Sequence, residues 1–176
     1  MLTLTKTYYS DLPEGLLERL YNESLDRNTI EIERLGDDNL RDIALNNYGE
    51  FPVLKYDVDG YDVGVASYYE KDFDGKKYYV QRHCVYGKTP AGSRSWWWDE
   101  EFQLRSWEFF KQENLDGILA VHNPDSEIGK AVLGSFGRFN KYYQTPRVVE
   151  AEDVKLLMNK DSYGVLKCFV IDVMEE

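Results

Sequence analysis

Two Asp-Gly pairs near the middle of the chain limit its fold more than any other feature of the sequence. They separate three segments that are rich in Val and Tyr: Val53–Tyr56, Tyr61–Tyr69 and Tyr78–Tyr86. Asp-Gly favours the two-residue turn of a β-hairpin, because both positions of that turn need a positive φ. The sequence therefore predicts an antiparallel three-stranded meander with turns at Asp59-Gly60 and Asp74-Gly75.

Hydrophobic periodicity predicts one strand and two helices before the meander. An apolar residue at every second position indicates a strand, and one at every third or fourth position indicates a helix. The strand carries Leu2 and Leu4. The first helix starts after Asp11 and Pro13, and its apolar face consists of Leu16, Leu17, Leu20 and Leu25. The second helix runs from Asp37 or Asp38 to Gly49.

After the meander, the pattern predicts two further helices and three strands. A Ser stands before each helix, and Ser is a favoured N-cap residue. The expected elements are a helix from Trp96 to Asn114 capped by Ser95, a strand at Ile118–Val121, a helix from Ser126 to Gly137, and two strands near Tyr142–Val149 and Val165–Val173 joined by the segment around Val154–Met158. With no repeat or low-complexity stretch, we expect one α/β domain over residues 1–176.

The composition argues against several classes of protein. The chain has 32 acidic and 21 basic residues and a formal charge of −11, which disfavours nucleic acids and anionic membranes as partners. No apolar run approaches the length of a membrane span or a secretory signal. Cys84 and Cys168 stand alone, as reduced cysteines do in cytoplasmic proteins, and with two His they are too few to favour a zinc site. We therefore expect a cytoplasmic protein that needs no metal.

The basic residues are concentrated in two segments that contain no acidic residue. The first, Gly75–Trp98, holds five Lys and Arg, and the second, Ile128–Val149, holds four. If the fold brought these segments together, they would form a positive patch on an acidic protein. Such a patch suits a small anionic ligand better than a long polyanion, whereas chance clustering of solvated charge is the simpler alternative.

Four short motifs, in this order, resemble the GNAT superfamily of acyl-CoA-dependent N-acetyltransferases. Asp59–Ala66 is similar to the D-G-x-x-V-G-x-A turn between the second and third strands of that family. The other three are Tyr79–Val85, which resembles the fourth strand, Val121-His122-Asn123, which resembles the end of the fifth, and Phe136–Phe139, which resembles the L-G-F that closes the next helix. The resemblance covers nearly the whole chain and implies a mixed, mostly antiparallel sheet of about six to seven strands flanked by helices.

The resemblance also implies a site for acetyl-CoA, the acyl donor of the family. Backbone N–H groups at a helix start bind anions, and the segment before the helix predicted at Trp96 would hold the diphosphate. The residues implied there are Gly92, Ser93, Arg94 and Ser95. A backbone N–H near Val85 would polarise the thioester carbonyl. Asn123 has two equally supported roles, hydrogen bonding to pantetheine and turning the chain before Pro124.

His83 and His122 are the candidate general bases, because each is expected near the implied cleft and His titrates near neutral pH. A hydrogen-bonded structural role is the simpler alternative for each. In place of the leading Gln or Arg of the family's phosphate motif the chain has Pro90. Leu133 aligns with the Tyr that often serves the family as general acid, so the sequence assigns no acid.

Two functions follow from this resemblance. The first is transfer of an acetyl group from acetyl-CoA to a primary amine of a small molecule or peptide. The second is a GNAT-fold binding or assembly protein that has lost the transfer chemistry, with the Trp96–Trp98 run contributing to the core or to a homodimer surface. Binding of single-stranded nucleic acid is a third class, which the net charge disfavours.

Overall fold

The structure is a computed structural model that describes residues 1–23, 26–27, 49–87, 96–150 and 166–175. These residues form three α-helices and eight strands. The strands are β1 (Leu2–Thr7), β2 (Asp26–Arg27), β3 (Val53–Val58), β4 (Tyr61–Phe73), β5 (Lys76–Tyr86), β6 (Gly117–His122), β7 (Arg147–Val149) and β8 (Lys167–Asp172). The helices are α1 (Leu16–Glu23), α2 (Glu100–Gln112) and α3 (Glu127–Arg138), with short 3₁₀ helices at Tyr9–Asp11 and Trp96–Trp98.

The strands form one mixed sheet in the order β1-β3-β4-β5-β6-β8-β7, and β2 pairs with β5. β5 and β6 are parallel, whereas β1–β3, β3–β4, β2–β5, β6–β8 and β7–β8 are antiparallel. This arrangement confirms the predicted fold class, a mostly antiparallel mixed sheet with helices. β2 is a two-residue strand that the sequence analysis did not predict.

Both hairpin turns adopt the conformation that their Asp-Gly pairs favour. Asp59 and Gly60 have φ values of 51° and 88°, and Asp74 and Gly75 have φ values of 52° and 73°. Positive φ at both central residues defines a type I′ turn, whose twist matches that of the flanking strands. The predicted meander is therefore confirmed, with β4 extending to Phe73 and β5 starting at Lys76.

The chain divides into two compact units, of which the first comprises residues 1–69 and 81–105. Its core forms where the apolar face of α1 packs against the strands, and this confirms the helix predicted from the leucine spacing. The buried residues of that cluster are Tyr9, Leu12, Leu16, Leu17, Leu20, Val53, Val65 and Val85. Lys55 and Asp62 form an ion pair of 3.2 Å between β3 and β4.

The second unit comprises residues 70–80 and 106–176. β8 pairs with β6 along its whole length, from Gly117 opposite Asp172 to His122 opposite Lys167. Buried aromatic rings fill this unit. Phe110 packs against Tyr79 with ring centres 5.1 Å apart, and Phe136 packs edge-on against Tyr143 at 5.1 Å. The number of folding domains remains a prediction.

Two predicted boundaries were wrong. The long helix begins at Glu100 instead of Trp96, because the three Trp form a 3₁₀ turn and the Asp99 side chain accepts a hydrogen bond from the Phe102 N–H at 2.9 Å. The strand predicted at Tyr142–Val149 is confined to Arg147–Val149, since Tyr142 and Tyr143 bond back to the Phe139 carbonyl. The helix predicted between Asp37 and Gly49 and the segment Val154–Met158 lie outside the described residues.

Candidate functional site

β5 is the strand that the sequence analysis associated with cofactor binding, and its pairing changes along its length. At its start, Tyr78 and Tyr79 pair in parallel with Gly117 and Ile118 of β6. At its end, Val85 and Tyr86 pair with β2. β4 runs along the opposite edge as far as Gly87, whose N–H donates to the Val63 carbonyl at 2.7 Å. β5 thus pairs with β6 at its start and with β2 at its end.

The direction of the backbone hydrogen bonds changes between Lys77, in β5, and Gly87, which follows β5. In a regular strand, residues an even number apart direct their backbone groups to the same edge. Lys77 bonds through its N–H and its carbonyl to Asp116, at the β6 edge, at 2.9 and 2.7 Å. Gly87 bonds to β4 instead, so that one residue between Lys77 and Gly87 breaks the alternation.

A hydrogen bond between the side chains of Gln81 and Tyr86 indicates where in β5 this change occurs. The Tyr86 hydroxyl donates to Gln81 Oε1 at 3.2 Å, although the two residues are five positions apart. Side chains at an odd separation point to opposite faces of a regular strand. The break therefore falls within residues 81–86, the segment that includes both His83 and Val85. Because of this break, the alternation of side chains along β5 does not predict on which face of the sheet His83 lies. The His83 side chain is outside the part of the chain that the structure describes.

Four buried aromatic rings surround the end of β5. Tyr86 meets Tyr56 and Phe102 edge-on at 5.6 and 5.8 Å between ring centres, and Tyr56 stacks on Phe102 at 5.0 Å. Trp96 packs against Phe102 at 5.9 Å, and its indole N–H donates to the Gly87 carbonyl at 2.7 Å. Trp96 is 2% exposed and is therefore a core residue, one of the two placements predicted for the Trp run.

At the N-terminus of α2, acidic side chains of the protein accept hydrogen bonds from backbone N–H groups. Asp99 Oδ1 accepts the hydrogen bond of the Phe102 N–H, and the Asp99 carbonyl accepts that of the Gln103 N–H at 3.1 Å. Glu101 Oε1 accepts a hydrogen bond from the Leu2 N–H of β1 at 2.7 Å. The predicted phosphate-binding residues Gly92, Ser93, Arg94 and Ser95 precede this helix and lie outside the described residues.

His122 and Asn123 are adjacent at the end of β6. His122 is half-buried, and burial lowers the pKa of its imidazole below the ordinary value of 6.5. The ring is therefore neutral at pH 7 and able to accept a proton. Asn123 Oδ1 accepts from the Asp125 N–H at 3.0 Å, and its carbonyl accepts from the Ser126 hydroxyl at 2.9 Å. The turning role weighed for Asn123 is thus present in the structure.

Ser126 caps α3 as predicted. Its hydroxyl oxygen accepts a hydrogen bond from the Gly129 N–H at 2.9 Å, and α3 begins at the next residue, Glu127. A side chain at Gly129 would collide with the Asn123 carbonyl, so this turn requires glycine. The turn fixes the direction in which the chain leaves β6 after His122.

The sequence analysis missed a buried polar pair in the second unit. The Tyr78 hydroxyl donates to Asp172 Oδ1 at 2.7 Å, and both side chains are buried. Lys76 Nζ and Arg147 Nε lie 3.8 and 3.7 Å from the same carboxylate. Burial, followed by the hydrogen bond to Asp172 and its charge, raises the pKa of Tyr78. The one sign of this pair in the sequence is that Asp172 follows consecutive apolar residues instead of an alternation of apolar and polar ones.

An open groove of about 330 Å³ lies beside this pair and is lined by Lys76, Asp116, Gln144 and residues 172–175. Within the described residues no group of three or more His, Cys, Asp and Glu is placed to hold a metal ion. No described helix is long and apolar enough to cross a membrane.

The fold is that of known acetyltransferases. The chain superposes on a probable acetyltransferase from Staphylococcus epidermidis with a TM-score of 0.53 and 12% identity, covering 99% of this chain and 100% of the other. An N-acetyltransferase from Staphylococcus aureus gives a TM-score of 0.55 and 8% identity, covering 98% and 97%. An acetyltransferase from Thermus thermophilus gives 0.53 and 13% identity, covering 99% and 97%. No family model and no curated protein sequence matches the chain.

These likenesses define the class of the protein by its fold. The strand order and the superposition over nearly the whole chain identify the GNAT fold, as the sequence motifs predicted. At 8–13% identity the comparison establishes the fold alone.

Proposed function

We propose that this chain is a GNAT-type N-acetyltransferase that transfers an acetyl group from acetyl-CoA to a primary amine of a small molecule or peptide. In this reaction the amine nitrogen bonds to the acetyl carbon and the carbon–sulfur bond breaks. The acceptor ammonium loses one proton to a base before it attacks and a second from its nitrogen after the new bond forms, and the thiolate of CoA takes up one proton, so that one is released overall. The observation that carries the proposal is that β5 of a GNAT fold pairs with β6 at its start and with β2 at its end.

The edge of β5 suits the pantetheine arm of CoA. The arm contains two amide groups, which pair with backbone N–H and carbonyl groups as an added strand does. Val85 is the predicted position of the N–H that polarises the thioester, and the register places Arg27 opposite it. Residues 80–84 are not opposite either described residue of β2.

The N-terminus of α2 does not fit the diphosphate of CoA. An anion at a helix N-terminus is stabilised by free N–H groups, and there the Asp99 carboxylate already accepts the Phe102 N–H. In our proposal the diphosphate is held before Trp96, by Gly92, Ser93, Arg94 and Ser95. His122 and His83 remain the candidate general bases, and Asn123 remains a candidate for binding pantetheine through its amide nitrogen.

The proposal is tested by thermal unfolding with CoA and acetyl-CoA. A ligand at 100 times its dissociation constant stabilises the folded state by about 2.7 kcal/mol, which raises the midpoint by roughly 5 to 10 °C for a domain of this size. Arg94→Glu should abolish the shift. Lys6→Glu, a matched charge reversal at an exposed position of β1, should retain it.

A transfer assay completes this test. Release of free thiol from acetyl-CoA is followed with a panel of primary amines, including polyamines and basic peptides, which the acidic composition favours as acceptors. Thiol release that depends on an amine supports the proposal. No thermal shift at millimolar CoA, together with no thiol release, overturns it.

A binding or assembly protein of GNAT fold is the second candidate, and two contacts favour it. Asp99 fills the N-terminal position of α2, and Trp96 is buried with its N–H on the Gly87 carbonyl. Both side chains thus make structural contacts within the protein in the part of the sequence that directly follows the positions implied for the cofactor. This candidate predicts a folded, stable chain that neither CoA nor acetyl-CoA stabilises.

A further inference from the structure

The open groove of about 330 Å³ in the second unit is a concave site that the proposed transfer reaction does not use. All of its lining residues, from Lys76 to Glu175, belong to residues 70–80 and 106–176. None of them is among the residues implied for acetyl-CoA or for general base catalysis. A ligand of this groove is therefore additional to the two substrates of the proposed reaction.

Backbone hydrogen bonds hold one wall of the groove in place. The Val173 N–H donates to the Asp116 carbonyl at 2.9 Å. Met174 is held on both sides, because its N–H donates to the Tyr142 carbonyl at 2.7 Å and its carbonyl accepts the Trp107 indole N–H at 2.9 Å. The groove is thus formed before a ligand enters, which lowers the entropic cost of binding.

One part of the groove has an excess of positive charge. Asp172 is 8% exposed and accepts the Tyr78 hydroxyl, and Lys76 Nζ and Arg147 Nε lie 3.8 and 3.7 Å from its carboxylate. Both distances are longer than a hydrogen bond, so two cations share the charge of one carboxylate. Lys76 lines the groove, and its side chain is 51% exposed. Its ammonium can therefore donate to an anionic group of a ligand.

The other charged side chains of the groove are carboxylates. Asp116 Oδ2 accepts the Lys77 N–H at 2.9 Å, which leaves the second oxygen available to a ligand. Glu175 is exposed and forms no hydrogen bond or ion pair with any described residue. Both carboxylates accept hydrogen bonds from ammonium groups, and the Gln144 amide in the same groove can donate or accept.

A buried charge cluster beside a groove favours a binding role over a structural one. Such a cluster is a weak source of stability, because the cost of desolvation offsets the attraction between its charges. Clusters of this kind, in which charges perturb the pKa of a neighbour, are concentrated at functional sites. Asp172 and Tyr78 form the buried part of the cluster, and Lys76 connects it with the groove.

We propose that this groove binds an α-amino acid with a basic side chain. The carboxylate of the ligand pairs with Lys76, and its two cationic groups pair with Asp116 and Glu175. The charged residues of the groove and of the Asp172 cluster comprise three carboxylates and two cations. A basic amino acid has two cations and one carboxylate, so it balances this charge. A groove of about 330 Å³ lies within the size range of small-molecule sites.

The test compares L-lysine with cadaverine, which is lysine without its carboxylate. Dissociation constants of both compounds are measured by calorimetry for wild type, Lys76→Gln and Glu175→Gln. The matched controls are Lys130→Gln in α3 and Glu50→Gln, which neutralise exposed residues outside the groove.

We expect Lys76→Gln to weaken L-lysine binding roughly threefold and to leave cadaverine binding no weaker, because only lysine brings a carboxylate to Lys76. Glu175→Gln should weaken both compounds roughly threefold, and the controls should change neither by more than about twofold. Absence of saturable L-lysine binding at millimolar concentration overturns the inference, and so does an equal loss of both compounds in Lys76→Gln. These measurements need no CoA, so the proposed function stands or fails separately.

The indole N–H of Trp107 tests where the ligand binds, because it donates to the Met174 carbonyl in the wall of the groove. The chain has four Trp, and the indole signal missing from the NMR spectrum of Trp107→Phe is that of Trp107. L-lysine should shift this signal and leave that of Trp96, which donates to the Gly87 carbonyl, unchanged. Binding that leaves the Trp107 signal unchanged overturns the inference.

Discussion

The backbone of Gly64 lies directly under the ring of Tyr86. A β-carbon at position 64 would stand 2.5 Å from Tyr86 Cδ1, closer than real β-carbons approach a neighbour. The ring cannot withdraw, because it is 1% exposed and packs edge-on against Tyr56 and Phe102. This contact therefore links the glycine of the D-G-x-x-V-G-x-A motif to the end of β5.

Gly64→Ala should destabilise the protein. Forcing a methyl group into a packed core costs about 1 to 3 kcal/mol. For a chain of this size we expect a fall in the unfolding midpoint of roughly 2 to 4 °C per kcal/mol, measured by calorimetry. The matched control is Gly137→Ala in α3, where a β-carbon would meet no atom within 4 Å. Alanine there should stabilise by about 0.5 to 1 kcal/mol, and equal effects at both positions would contradict this assignment.

The elements that could be predicted from the sequence are those with local causes. Asp59-Gly60 and Asp74-Gly75 determine two turns through their own φ preferences, and the leucine spacing determines the buried face of α1. Ser126 caps α3 through a hydrogen bond that spans only three residues. In each case the interacting groups are close in the sequence, so the pattern of residue types is sufficient to predict the element.

The features that could not be predicted depend on contacts distant in the sequence or on several competing short-range interactions. Tyr78 and Asp172 are 94 positions apart, and neither carries a local signal of the other. Likewise, no local pattern predicts that Lys77 bonds to Asp116 whereas Gly87 bonds to Val63 of β4. At the start of α2 the sequence predicted Ser95 as the cap, whereas the three Trp form a 3₁₀ turn and Asp99 caps the helix after it.

Asp99→Ala should lower the stability of the protein more than Asp99→Asn does. Alanine removes the cap of the Phe102 N–H, and the loss of an N-cap costs about 1 kcal/mol within a range of roughly 0.5 to 2. Asn retains the cap and loses only part of the favourable interaction with the helix dipole, about 0.3 to 1 kcal/mol. Urea unfolding of the three proteins measures the difference. Equal stability of Asp99→Ala and wild type would show that the hydrogen bond contributes nothing.

Tyr78→Phe should destabilise the second unit by about 1.5 to 3 kcal/mol, the usual contribution of a hydrogen bond to a charged group. Asp172 would remain buried with Oδ1 deprived of its closest donor, because Lys76 Nζ is 3.8 Å away. Tyr8→Phe, at a side chain that is 44% exposed, should change stability by less than about 0.5 kcal/mol. Denaturant unfolding at pH 8 measures both variants.

Alkaline pH provides a second measurement on Tyr78. Because the folded state raises the pKa of Tyr78 above the ordinary value of 10.0, the unfolded chain releases this proton first. The contribution of Tyr78 to the free energy of unfolding is therefore fully present below pH 10 and declines above it, by up to about 1.4 kcal/mol per pH unit. The stability difference between wild type and Tyr78→Phe should shrink between pH 9 and pH 10.5. A constant difference over this range would contradict the raised pKa.

His122 should make the protein less stable as the pH falls below 6.5. Burial lowers the pKa of His122 in the folded state, so the unfolded chain takes up a proton before the folded protein does. Its contribution is therefore present above the ordinary pKa of 6.5 and is lost as the pH falls towards the folded value. His122→Gln, which does not titrate, should lack this loss. The stability difference between wild type and variant is measured by denaturant unfolding at pH 7.5 and pH 5.5. The change in this difference gives the effect of His122 separately from that of the carboxylates.

An NMR titration checks the pKa directly. The chain has two His, so the imidazole signal that disappears from the spectrum of His122→Gln is that of His122. A titration midpoint at or above 6.5 for that signal would contradict the prediction.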